Sequence, residues 1–241
     1  MNGRIVRISD LDSNTRAVMY RLFCLQFSNV SAEEFERDLD DKNWALLLTD
    51  ADDKLTGFSS MHVFDKSFRG GEMTLVYSGD TVVDSRTWSD SALSYYWMGA
   101  VDWLRRHYGK ESIYWFLLVS GYRTYRFLPV YSELFYPRYD QPTPEDIQAL
   151  MHAMALERFD GQYDPDTGIV RLDTPSILKD EYRGIPEHRL SDPHINFFAK
   201  RNPGHLQGDE LACFSALAED KLTRLGKRMF QKGRQLFPEV A

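Results

Sequence analysis

The stretch from Glu72 to Tyr108, with the apolar run that follows it, limits the possible folds of this chain more than any other segment. Thr74, Val76, Tyr77, Thr81, Val82 and Val83 are β-branched or aromatic, the types that suit a pleated, part-buried strand. From Leu93 onward, Tyr96, Trp97, Ala100 and Leu104 recur at offsets of 3, 4, 7 and 11, the period of an amphipathic helix. His107-Tyr108-Gly109 supplies its stop, with Gly109 at the C′ position. Ile113 to Val119 (IYWFLLV) is continuously apolar, as a strand covered on both faces should be. Strand, helix and strand within about 45 residues predict a βαβ crossover, which requires a parallel pair. Between strand and helix, Asp84 to Ser91 offers several N-capping side chains. A helix start exposes free N–H groups and the positive end of the dipole, so this turn is a candidate cradle for a phosphate or pyrophosphate.

The flanking segments predict further elements. Arg4 to Ile8 reads as a strand. Asp12 or Ser13 caps a helix with Val18, Leu22, Leu25 and Gln26 on its stripe, and Ser31 with Glu34 forms a capping box for a second helix through Phe35 and Leu39. Trp44 to Thr49 and Leu55 to Phe64 read as a hairpin across the turn at 50–54, and Phe68-Arg69-Gly70-Gly71 breaks the chain before the central strand. After the crossover come a helix interrupted near Pro129 and ended near Pro137, a helix from Pro144 to Phe159, and a strand from Ile169 to Leu172. The polar stretch 173–193 reads as loop, 194–200 as a last strand, and 208–236 as one long helix. With no repeat or clean linker, the expected organisation is a core over residues 1–140 with an extension over 141–241 packed on it.

Composition narrows the classes. A net charge of −7 over 241 residues lacks the basic excess of a nucleic-acid binder. No apolar run approaches the roughly 20 residues of a membrane span, and the first residues contain no apolar signal region, so a soluble, cytoplasmic protein is expected. Cys24 and Cys213, each in an apparent amphipathic helix, read as two reduced, buried cysteines. The six histidines show no paired spacing, so no metal site is expected, and there is no P-loop, dinucleotide or Gly-x-Ser-x-Gly signature.

The order of elements over roughly residues 3–137 resembles the GNAT superfamily of CoA-dependent N-acyltransferases. The resemblance implies an α/β (α+β) fold: a mixed twisted sheet flanked by helices, here with a helical C-terminal extension. In that superfamily an Arg/Gln-x-x-Gly-x-Gly/Ala turn after the fourth strand holds the CoA pyrophosphate, and the end of the strand pairs with the pantetheine arm. The corresponding turn is Arg86-Thr87-Trp88-Ser89-Asp90-Ser91, where Arg86 matches and serines stand at both small positions; Val82 and Val83 end the strand. The superfamily's tyrosine acid resembles Tyr131, within Pro129-Val130-Tyr131-Ser132-Glu133-Leu134-Phe135-Tyr136, and the asparagine often found seven residues earlier is Thr124.

The implied reaction moves an acyl group from acyl-CoA, or from a carrier-protein thioester, to an amine of a small molecule or peptide. A tyrosine, with a reference pKa near 10, can protonate the departing thiolate. The base that takes the ammonium proton is a choice among Asp80, Glu72 and His62. Strand alternation places Tyr77, Gly79 and Thr81 on one face and Ser78, Asp80 and Val82 on the other, unless a bulge at Ser78-Gly79 shifts them. The aromatic content of 14% and the long extension point to a bulky acceptor or an acyl chain longer than acetyl. The rival reading is a GNAT-like binding or assembly module without catalysis, motivated by the serines and by Asp90 beside a phosphate site.

Overall fold

The computed structural model describes residues 2–84, 86 and 92–238. The first half contains β1 (Asn2–Arg7), α1 (Ser13–Gln26), β2 (Phe27–Ser28), α2 (Ala32–Asp40), β3 (Trp44–Thr49), β4 (Leu55–Phe68), β5 (Gly71–Val83), α3 (Ala92–His107) and β6 (Tyr114–Val119). The second contains α4 (Tyr122–Tyr125), α5 (Phe127–Tyr131), β7 (Phe135–Tyr136), α6 (Glu145–Arg158), β8 (Tyr163–Asp164), β9 (Ile169–Val170), β10 (Ile177–Leu178), α7 (Asp180–Arg183), α8 (Pro193–Arg201), β11 (Glu210–Ala216) and α9 (Arg224–Leu236). The main sheet runs β1-β3-β4-β5-β6-β11-β9-β8, with β7 also on β11. β5 and β6 are parallel, as the crossover through α3 requires, and the other pairs described are antiparallel.

Local sequence accounts for the helix starts. Asp12 accepts from the Thr15 N–H at 2.6 Å, and Ser31 Oγ accepts from the Glu34 N–H at 3.0 Å. One face of the sheet is covered by α3, α5 and α9 in a cluster that includes Trp97, Trp115, Tyr131 and Phe230. The opposite face is covered in two separate patches. Around Phe58 and Val82 it is packed by α1 and α2; around Phe116 and Phe214 it is packed by α6.

Three expectations for the second half are corrected. Residues 194–200 lie in a helix, not a strand: Asp192 accepts from the His194 N–H at 2.9 Å, Pro193 opens the first turn, and Ile195 and Phe198 face the core three residues apart. The single long helix over 208–236 is instead strand β11 followed by helix α9. Leu211 and Cys213 join the α3-side cluster while Ala212 and Phe214 join the α6-side cluster, so this run is buried on both faces between β6 and β9. Thr223 then caps α9, accepting from the Gly226 N–H at 2.8 Å. Cys213 is thus a buried strand residue, whereas Cys24 lies in α1 as expected but is only half-buried; both are free. The segment beyond residue 140 is consequently not purely helical, since it contributes a central strand to the main sheet.

α9 crosses α3 backbone to backbone. A Cβ on Gly233 would stand 2.5 Å from both the Tyr95 carbonyl oxygen and the Gly99 nitrogen. Beside this contact, fully buried Asp102 accepts from Arg105 Nη2 at 2.9 Å, Arg106 Nε at 3.1 Å and Arg234 Nε at 2.9 Å, which locks α9 to α3. Gly233→Val is therefore expected to destabilise the protein by about 1–3 kcal/mol, the usual cost of overpacking, in denaturant unfolding. An unchanged midpoint would show that the helices do not approach this closely.

Candidate active site

A cleft opens where β5 and β6 part. Their pairing runs from Leu75 with Tyr114 to Ser78 with Leu117 and ends there, although β5 continues to Val83 and β6 to Val119. The cause lies on the opposite edge of β5. Thr81 faces Ser59 and Ser78 faces Met61, so Ser60 of β4 stands against two residues of β5, Gly79 and Asp80. This is a β-bulge, which bends its strand and ends regular pairing. Glycine fits at 79 because a Cβ there would lie 2.6 Å from Ser60 Oγ and 2.8 Å from Lys42 Cε.

The bulge also decides which way the side chains face. Ser78 points to the α3 side, where its Oγ accepts from Trp115 Nε1 at 2.8 Å. Tyr77 and Val82 both pack on the opposite face, which unbroken alternation would forbid. Asp80 lies on that second face as well, within electrostatic reach of Asp38, Lys42 and Glu210. Alternation alone would have grouped Ser78 with Asp80; the bulge separates them.

The splayed strands enclose a cavity of about 770 Å³ that reaches both faces of the sheet. On the α3 side its wall includes Ser94, Trp97, Trp115, Phe127 and Tyr131; on the other it includes Phe35, Asp38, Tyr77, Asp80 and Glu210. Tyr131 is 2% exposed and stacks against Trp97 and Phe127, with interplanar angles of 8° and 10°. Burial pushes its phenol pKa well up, opposed by a hydrogen bond with Ser94. α9 fixes the backbone here: the Tyr131 carbonyl accepts from the Thr223 N–H at 3.0 Å and lies against Gly226.

Loss of hydration inside the cavity, reinforced by the negative charges of Asp38 and Glu210 and opposed by Lys42, pushes the Asp80 carboxyl up to about 8. Glu210 rises to about 7 from burial and from Asp38. Lys42, its side chain 1% exposed, is held by Asp38 Oδ1 at 2.8 Å. β10 pairs with β2, and Lys179 Nζ donates to the Cys24 carbonyl at 2.8 Å, so a strap over residues 174–179 roofs this arm of the cavity.

The remaining expected residues are placed as follows. Val82 directs its side chain into the α1–α2 patch, away from the cleft. The Asp84 N–H bonds the Thr56 carbonyl of β4 at 2.8 Å, so the backbone groups of Val83 and Thr81 point to the opposite, open edge of β5. The Val83 carbonyl there accepts from the Gln26 side-chain amide. Arg86 is exposed and holds Asp84 through its Nε at 3.0 Å, which keeps the Asp84 carboxyl at about 2. Thr87, Trp88, Ser89, Asp90 and Ser91 lie outside the described residues. Thr124 sits exposed on α4 at the cavity wall. Glu72 is exposed at the hairpin end of β5, bonded by Ser67 Oγ and outside the cavity wall, so it is removed from the choice of base. His62, also outside the wall, contacts Arg158 Nη2 at 3.2 Å, and burial lowers its pKa. Glu210, Asp38 and Lys42 were not anticipated. Glu210 lies in the stretch read as helix, and Leu211 to Ala216, covered on both faces, carries no polar alternation that would have revealed a strand.

Among the described residues no group of His, Cys, Asp and Glu is placed to hold a metal, and no helix is long and apolar enough to cross a membrane. Strand, two helices, three antiparallel strands, helix and parallel strand define a GNAT-like mixed α/β fold. No family model and no curated protein matches the sequence. Among solved structures, a conserved protein of Enterococcus faecalis V583 is similar at 15% identity and a TM-score of 0.39, covering 65% of this chain and only 43% of that one. An acetyltransferase of Trypanosoma brucei is similar at 17% identity and 0.38, over 60% of this chain and 98% of its own. Glucosamine-6-phosphate N-acetyltransferase of Arabidopsis thaliana is similar at 17% and 0.38, over 61% and 100%. At these scores the likeness carries no functional weight, and the fold assignment rests on the order and pairing of the elements.

Asp80 links this site to stability. A carboxyl whose folded pKa lies above its unfolded value of about 3.9 keeps a proton that the unfolded chain has lost, so it lowers stability as pH rises toward the folded value near 8. Asp80→Asn is therefore expected to melt progressively above wild type between about pH 5 and pH 9, with no gain at about pH 4. Parallel melting profiles for the two proteins would contradict a raised Asp80.

Proposed function

We propose that the chain is a GNAT-type N-acyltransferase, moving an acyl group from acyl-CoA or a carrier-protein thioester to an amine of a small molecule or peptide. The supporting observation is one cavity between splayed strands with a phenol, Tyr131, on one side and a carboxylate, Asp80, on the other. The edge of β5 at Thr81 offers backbone groups for the amides of a pantetheine arm, while Arg86 offers a guanidinium for a pyrophosphate. Asp80 takes a proton from the acceptor ammonium. The freed nitrogen lone pair attacks the thioester carbonyl carbon, the C–N bond forms and the C–S bond breaks. Tyr131 protonates the departing thiolate, the nitrogen's surplus proton passes to solvent, and an amide and a free thiol remain while Tyr131 regains a proton from solvent and Asp80 loses one to it. A pKa near 8 suits Asp80 to this task, since it lies close to working pH.

One observation favours a second reading, a binding module that has lost donor chemistry. Arg86 is engaged by Asp84 and the Val83 carbonyl by Gln26, so a donor must displace both contacts. Titration with CoA and acyl-CoAs separates the readings: saturating ligand at about 100 Kd is expected to stabilise the fold by roughly 2.7 kcal/mol, and Arg86→Glu to abolish the gain. A folded protein stabilised by none of these ligands would contradict a CoA donor.

Under the enzymatic reading kcat/KM rises with pH through about 8 as Asp80 ionises. Asp80→Asn is expected to lower turnover by about 10²–10⁴ with CoA affinity retained. Wild-type turnover in Asp80→Asn would assign the base elsewhere.

A further inference from the structure

The proposed reaction leaves Glu210 without a role. This residue opens β11 one position before Leu211, which pairs with Val119, so it stands level with the end of β6. It shares the sheet face of Ala212 and Phe214, the face that also carries Tyr77 and Asp80. Among the described residues neither Asp80 nor Glu210 takes a hydrogen bond or an ion pair from another side chain. Of the cations on this side, Lys42 is engaged by Asp38 at 2.8 Å, Arg158 by the Tyr77 ring and His62, and Arg171 by Asp164 and Asp209, while Arg37 lines the cavity from α2 and acts on Glu34. An enclosed carboxylate without a partner is costly, and a cationic ligand removes that cost. Two strand spacings separate β5 from β11 across β6, so the backbones of Asp80 and Glu210 stand at least about 10 Å apart where β5 splays from β6. Tyr77, Phe159 and Leu172 supply apolar wall in the same cavity, beneath the strap.

We infer that Glu210 determines acceptor specificity by holding a second cationic group, so that the acceptor is a slender diamine or polyamine with its reacting nitrogen at Asp80 and a distal ammonium at Glu210. The assignment rests on the acyltransferase reading for the role of Asp80, but its recognition step is measurable without turnover.

The test is calorimetric titration at mildly alkaline pH and low salt with 1,4-diaminobutane, 1-aminobutane and 4-aminobutanoate, using wild type and Glu210→Gln. The diamine is expected to bind wild type at least about tenfold more tightly than the monoamine, with the carboxylate-bearing amine weakest. Glu210→Gln is expected to equalise diamine and monoamine and, because Glu210 is itself a raised carboxyl, to melt above wild type at mildly alkaline pH. Equal binding of the two by wild type, or a preference that survives in Glu210→Gln, overturns the assignment. Should the variant fail to fold, the wild-type ranking of the three amines decides alone. Thiol release from acetyl-CoA on the same panel keeps the two claims apart. Diamine binding without thiol release condemns the reaction and not the recognition; thiol release without diamine preference condemns the recognition and not the reaction.

Discussion

The extra residue in β5 opposite Ser60 is the constraint on which the site depends. A regular strand would continue pairing with β6 past Ser78, the sheet would close, and Asp80 would share the face of Ser78 toward α3. With Gly79 and Asp80 both set against one β4 residue, the strand bends, its far edge loses a partner and its carboxylate turns to the opposite face. Opening and side-chain reversal thus have one local cause. Glycine at 79 suits that cause, because a side chain there would have to displace Ser60 Oγ and the Lys42 stem.

The second half of the chain completes what the bulge begins. β11 extends the sheet beyond β6 and brings Glu210 to the cavity; the strap at 174–179 roofs its acidic arm; α9 supports the backbone of Tyr131. α9 is itself held through Asp102 and its three arginines. Asp80 and Tyr131 therefore take their surroundings from elements far later in the chain. The raised carboxyls follow from the same enclosure, because the cavity strips water from Asp80 and Glu210.

The first half was legible in sequence because its signals are local. The β-branched run at 74–83, the helical stripe at 93–104 and the apolar run at 113–119 each state their own period, and together they imply a parallel crossover. The second half was less legible. His194 to Lys200 contains enough aromatic residues to read as a strand, and only the Asp192-Pro193 start signals the helix. Residues 210–216 are covered on both faces, so they lack the polar alternation that distinguishes a strand from a buried helix. Within the site, Tyr131, Asp80 and Val83 were found at the cleft, while Glu72 belongs to the same strand but lies at its other end. Glu210 was not legible at all, since only the register of β11 against β6 brings it near Asp80.

Amide hydrogen exchange, followed with and without a saturating acyl-CoA, tests the central claim that the open edge of β5 is the donor site. Exchange at Thr81 is predicted to slow in the presence of the ligand, while Leu75 to Tyr77, already paired on both sides, stays unchanged. Unchanged exchange at Thr81 with ligand bound elsewhere would contradict the account, because the cleft made by the bulge would then not be where the thioester lies.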